Sequence, residues 1–195
     1  MASSGPNSPA TITTSDVDGN LDWTNPSNVT SSNNSYADTS GYSTGGTIGW
    51  NKVRLLVAGS ETGSNKSDGE TLSASDTYKS FGGASDTWSA SPSVSQVNAS
   101  NFGVRIQLTD GGVDWGTTYY LDCTNFGFSL PSATVDGILV EIENKATGGI
   151  AYLDHVRMTV YYTEIVATGH PAIRRFSQCR GFRPVGIGSE GVTIG

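Results

Sequence analysis

Histidine, cysteine and charge are all scarce in this 195-residue chain. His155, His170, Cys123 and Cys179 are its only histidines and cysteines. A zinc site needs three or four clustered His, Cys or carboxylate ligands, and His155 has no such neighbours, so no metal and no cofactor are expected. The cysteines form neither a redox spacing nor a disulfide framework. Both are expected to be reduced, one in a strand and one in the tail. The G-x-S-x-G elbow of a serine hydrolase and the Gly-rich phosphate loop ending in Lys-Ser/Thr are missing too. Nothing in the sequence argues for an enzyme, and none is expected. No stretch approaches the ~18 apolar residues of a membrane span. The opening Met-Ala-Ser-Ser-Gly-Pro lacks the basic start and apolar run of a signal peptide. A soluble chain made in the cytoplasm is therefore expected. Long runs of Ala, Leu, Glu and Lys at a helical period are absent as well, which excludes a helical bundle.

What remains is turn chemistry and short apolar runs. Charged residues make up 15 % of the chain, whereas glycine alone supplies 25 residues. Such a composition suits many strands joined by turns, because Gly, Asn and Ser reach the backbone angles that turns require. The net charge of −7 is unevenly spread. Residues 165–195 carry four arginines against Glu190, a balance of +3 that leaves −10 on residues 1–164. An acidic body repels nucleic acid, so the main domain is not expected to bind it.

Residues 1 to about 45 are rich in Ser, Thr and Asn and broken by Pro6, Pro9 and Pro26. They read as an extended arm, with Leu21 and Trp23 as its first anchors on the domain. Within it Asp16, Asp18, Asn20 and Asp22 alternate as in a calcium loop, but Ser27 stands where the twelfth-position acid is needed, so a turn is expected. Strands are expected at Trp50–Ala58, 71–81, 86–90, 102–108, Thr117–Cys123, Phe126–Leu130, 138–143 and 152–162. Residues 60–70 read as a polar loop. Val104, Ile106 and Leu108 share one face, as do Ile138, Val140 and Ile142, and Val156, Met158, Val160 and Tyr162. Period-two alternation of this kind buries one face of each strand and wets the other. About eight strands with frequent turns point to an all-β, antiparallel β-sandwich, most simply jelly-roll-like, with a closed barrel as the other way to shut the sheet. The expected divisions are an extended N-terminal arm over 1–19, the sandwich over 20–163 and a basic C-terminal arm over 164–195.

His155 is expected at a strand end, hydrogen-bonded to a turn. Glu141 and Glu143 lie two apart on an outward strand face, where acids are usually solvated, and carry no expected catalysis. Trp88, Trp115, Tyr119 and Tyr120 fall in or near loops. They either cap the core, as large aromatics in β proteins usually do, or offer a stacking platform to sugars, with Trp88 and Trp115 as the stacking residues and a surface glycan as the ligand. The tail from Gly169 is too punctuated by Gly and Pro for a helix, yet keeps Ile173, Phe176, Phe182, Val185, Ile187, Val192 and Ile194 at intervals. A merely solvated tail tends to have few such residues. Docking on a partner is expected instead, through Arg174, Arg175, Phe176, Arg180, Phe182 and Arg183.

Several segments together resemble a known family. They are D-W-T-N-P-S-N-V (22–29) with N-N-S-Y-A (33–37), F-G-G-A-S-D-T-W (81–88), V-N-A-S-N-F-G-V-R-I (97–106), F-G-F-S-L-P-S-A-T-V-D-G-I-L-V-E-I-E-N-K-A (126–146) and L-D-H-V-R-M-T-V-Y-Y-T (153–163). As a set they resemble a sandwich domain recurrent among virion structural proteins of tailed bacteriophages, and they cover most of residues 22–163. The family places the segment like 117–146 before the one like 53–108, the reverse of the order here. A sandwich tolerates that exchange when the strands keep their places. The resemblance implies a non-enzymatic accessory structural protein, such as a head (capsid) decoration, neck or tail-attached subunit. Its partners would be copies of itself and other virion proteins, and it would be made in the host cytoplasm and assembled into the virion. The other function carried forward is a carbohydrate-binding adhesin module of a fibre touching the host surface.

Overall fold

The alternating segments do become strands. The computed structural model describes residues 1–16, 21–40, 46–111 and 116–166. Among them ten strands are present: β1 (Ala2–Asn7), β2 (Thr11–Ser15), β3 (Ala37–Asp38), β4 (Ile48–Val57), β5 (Ser60–Thr62), β6 (Thr77–Gly83), β7 (Gly103–Asp110), β8 (Tyr120–Thr124), β9 (Ala133–Thr147) and β10 (Ile150–Glu164). One short helix, α1 (Val94–Val97), and a 3₁₀ turn at Pro26–Val29 complete the regular structure among the described residues. The helix is started by Ser93, whose hydroxyl accepts from the Gln96 amide while the Gln96 side chain returns to the Ser93 amide.

Two antiparallel sheets form. One has the order β1-β10-β9-β6, with β3 added beside β10; the other runs β2-β8-β7-β4-β5. Their inner faces share one core, in which Val53, Leu55, Val104, Ile106, Leu108 and Leu121 of one sheet meet Ile138, Val140, Ile142, Val156, Met158 and Val160 of the other. Each of these side chains is fully buried and contributes about 1.5–3 kcal/mol relative to exposure. The fold is thus an all-β, antiparallel sandwich, and Met1–Ile165 form one unit that contains every element named above.

Several details differ from the sequence reading. The first fifteen residues are not an arm outside the domain: β1 pairs with β10 and β2 pairs with β8, so each lines an edge of a different sheet. Ile12 packs on the core, and a Ser/Thr-rich strand suits an edge, where one side faces water. The strand order also departs from a jelly roll, which interlocks two Greek keys; here β9 and β10, of 15 residues each, form a hairpin within one sheet. Gly148 and Gly149 close that hairpin with φ of 60° and 75°, the angles a two-residue loop of matching twist demands. Residues 86–90 form a turn instead of a strand. Asp86 Oδ1 accepts the Trp88 amide at 2.8 Å, and Trp88 and Ser89 both take positive φ. Residues 126–130 likewise stay outside the ladders, although Phe126, Phe128 and Leu130 are buried. The polar stretch after β4 contributes β5.

Candidate functional site

Two surface depressions, of about 160 and 360 Å³, are lined by Gly, Thr, Ala, Ile and Leu and by Ser, Pro, Val, Ala and Thr respectively. Neither holds a titratable side chain. The chemistry collects elsewhere, on the outer face of the sheet built from β6, β9 and β10.

Register brings that cluster together. Tyr78 of β6 and His155 of β10 both lie opposite Glu143 of β9, and one row further on Ser80 and Arg157 both lie opposite Glu141. A bulge sets the facing of His155. Leu153 pairs with Asn144 and His155 with Glu143, leaving Asp154 as an extra residue. Leu153 and Val156 can therefore both point into the core while His155 and Arg157 point out, which simple alternation forbids. The extra residue is itself used. Asp154 is 2 % exposed, and its carboxylate accepts the backbone N–H groups of Asn33 and Asn34, at 3.2 and 3.1 Å to Oδ2. This pins the 31–36 loop beside the cluster.

The N-terminal chain completes it. Just past Asn7, which pairs with Met158, Ser8 begins the crossover from β1 to β2. The crossover is tied down on both sides, Asn7 Nδ2 donating to the Phe126 carbonyl at 2.9 Å and the Ala10 amide to the Asn125 carbonyl at 3.1 Å. Ser8 Oγ stands 2.8 Å from His155 Nε2, and the Tyr78 hydroxyl 3.0 Å from His155 Nδ1. Burial and then the Glu143 carboxylate raise the Tyr78 hydroxyl above its ordinary pKa. One Glu143 oxygen, Oε2, is buried without a hydrogen-bond partner among the described residues. The assignment that satisfies the chain has Ser8 Oγ–H donating to Nε2, Nδ1–H donating to the Tyr78 oxygen, and the Tyr78 O–H turned toward Glu143. Arg157 lies 4.0 Å over the Tyr78 ring and meets Glu141 in a two-pronged pair, 3.0 Å at each contact. Burial first, and then the Arg157 charge, lower the His155 pKa from its ordinary value, so the imidazole is held neutral as a proton acceptor.

The opposite outer face carries a second polar group. Arg105 binds Asp122 through two nitrogens at 2.6 Å each and reaches Glu61 at 3.0 Å; Lys52 meets Glu61 at 3.1 Å. Arg105 and Lys52 each lie 4.4 Å from the Tyr120 ring. Burial alone would raise the Glu61 carboxyl, but hydrogen bonds from Arg105 and Lys52 more than reverse it and hold it low. Each charge here has its counter-charge in place, so this face reads as a brace across β4, β5, β7 and β8.

Of the residues singled out from sequence, His155 lies inside a 15-residue strand and not at its end, and its partners are Ser8 of the β1–β2 connection and Tyr78 of β6 instead of a turn. Glu141 and Glu143 point outward as expected, yet both are half-buried, and Glu141 is held by Arg157. Trp88 corrects the stacking hypothesis. Its side chain is 0 % exposed, and its Nε1–H donates to the Ile138 carbonyl at 2.9 Å, so it caps the core and offers no face to a sugar. Gly82, at φ 78°, leaves the slot for that indole, because a Cβ there would collide with Trp88 Nε1. Cys123 is a buried strand thiol whose pKa burial pushes up. Trp115, Arg174, Arg175, Phe176, Arg180, Phe182 and Arg183 lie outside the described residues, as do Asp18 and Asn20. The sequence reading missed Ser8 and Tyr78. They stand 147 and 77 residues from His155, and no local motif links them.

No family model matches the chain, and no curated protein or solved structure matches it either.

Proposed function

We propose that the chain is an accessory structural subunit of a tailed-phage virion, a head decoration, neck or tail-attached protein, which joins neighbouring molecules through its basic C-terminal segment. The observation that carries this reading is the segregation of charge. Residues 1–164 hold a formal −10, whereas residues 165–195 hold +3 together with spaced Ile, Phe and Val side chains. The described core already brings both sheets together with side chains from Ile12 to Tyr162. Ile165 and Val166, where the segment begins, are 59 % and 78 % exposed. A cationic segment with apolar anchors suits an acidic surface of another molecule, whether a second copy or a different virion protein. Since β1 and β2 belong to the sandwich, lacing between subunits falls to the C-terminal segment alone.

The test is a chain ended at Glu164. It should unfold at the same temperature as the full chain yet fail to enter particles, and the Arg174→Glu, Arg175→Glu double variant should enter poorly. Full incorporation of the truncated chain would refute the proposal.

A further inference from the structure

Ser8, His155 and Tyr78 make a constellation that the packing of a sandwich does not require. A serine within hydrogen-bond reach of a histidine, itself oriented by a third group, is the geometric signature of an activated hydroxyl. Here the two contacts are 2.8 and 3.0 Å. Such arrangements recur on unrelated folds and in unrelated chain orders, so the lack of a G-x-S-x-G elbow does not weigh against one. Three further features fit. Ser8 is exposed, so an electrophile can reach Oγ. Its crossover is anchored by Asn7 and Ala10, which holds Oγ in place. Glu143, beyond Tyr78, offsets part of the burial and of the Arg157 charge that oppose an imidazolium once His155 has taken the proton.

We propose that Ser8 is a covalent nucleophile, with His155 as its general base and Tyr78 as the residue that positions the imidazole, and that it takes an acyl group from a small carboxylic ester presented at the protein surface. Ser8 Oγ attacks the ester carbonyl carbon as its proton passes to His155 Nε2. The tetrahedral adduct collapses, the bond from carbon to the alcohol oxygen breaks, and the leaving oxygen takes that proton from Nε2. Water then attacks the acyl-serine, giving one proton to Nε2. The bond from the acyl carbon to Oγ breaks, Oγ recovers the proton, and the carboxylic acid leaves. An ester suits a site with one acid–base group, because an alkoxide or phenoxide is a far better leaving group than an amide nitrogen. An exposed hydroxyl suits an acyl group at the end of a larger molecule. The site lies within Met1–Ile165 and stands apart from the role proposed for the C-terminal segment.

The experiment treats the full chain with a small alkyl fluorophosphonate, which transfers its phosphonyl group to an activated serine with loss of fluoride, and reads the adduct by intact and peptide mass. One adduct, on Ser8, is expected. Ser8→Ala, an exposed change that leaves the thermal midpoint in place, should abolish it, and His155→Gln should slow it by about 100-fold or more. The wild-type labelling rate should rise with pH to a plateau, with a midpoint below the ordinary histidine value. Tyr78→Phe should slow labelling less and move that midpoint lower, a shift that a packing role would not produce. Release of p-nitrophenol from p-nitrophenyl acetate should likewise be lost in Ser8→Ala. An unlabelled Ser8, labelling of other residues only, or an unchanged rate in a folded His155→Gln variant would overturn the proposal.

Discussion

Replacing Trp88 by alanine tests the burial argument most directly. The indole is fully enclosed, its Nε1–H bonds the Ile138 carbonyl at 2.9 Å, and Gly82 and Ile138 wall its slot. Deleting a buried Trp side chain costs about 3–5 kcal/mol, because lost transfer energy and the cavity left behind add together. In a domain of this size each kcal/mol moves the midpoint about 2–4 °C, so a fall of roughly 6–20 °C is expected. Trp88→Phe keeps most of the ring volume but leaves the Ile138 carbonyl without its indole partner, for a smaller loss of about 1–3 kcal/mol. Differential scanning calorimetry reads both values. Gly82→Ala should also destabilise, since the new methyl meets the indole, and should cost less on top of Trp88→Ala than alone, because one of its clashes has gone. A Trp88→Ala midpoint within about 1–2 °C of wild type, the size of shift expected from the roughly 0.5 kcal/mol of an ordinary surface change, would refute the enclosed indole and reopen the stacking role.

Other consequences are smaller in scope. His155 is lowered in the folded state, by burial first and Arg157 next, so below its ordinary value the unfolded chain binds the extra proton first. Stability is therefore full above about pH 6.5 and declines as pH falls from there toward the folded value. His155→Gln should flatten this stage of a urea-midpoint titration, leaving the later loss, when Glu61, Asp68 and Asp86, all lowered in the fold, become protonated. Asp154→Ala should cost about 1–3 kcal/mol by orphaning two backbone N–H groups, with faster amide exchange at Asn33 and Asn34.

The sequence by itself determined the class of the fold and most of its inner face. Period-two runs marked Val104, Ile106 and Leu108, and Ile138, Val140 and Ile142, as core, since alternation maps directly onto the two sides of a pleated strand. Charge counting separated an acidic body from a basic end without any coordinates. Only tertiary structure decided that the first fifteen residues are edge strands. Their Ser, Thr, Gly and Pro are indistinguishable from loop, and their hydrogen-bond partners lie more than a hundred positions away. The same holds for Trp88, whose burial depends on a glycine slot across the turn, and for the Ser8–His155–Tyr78 cluster. A single-residue bulge at Asp154 sets which way His155 faces, and cross-strand register sets who meets it. Local sequence carries periodicity; it carries neither register nor the residues that register brings face to face.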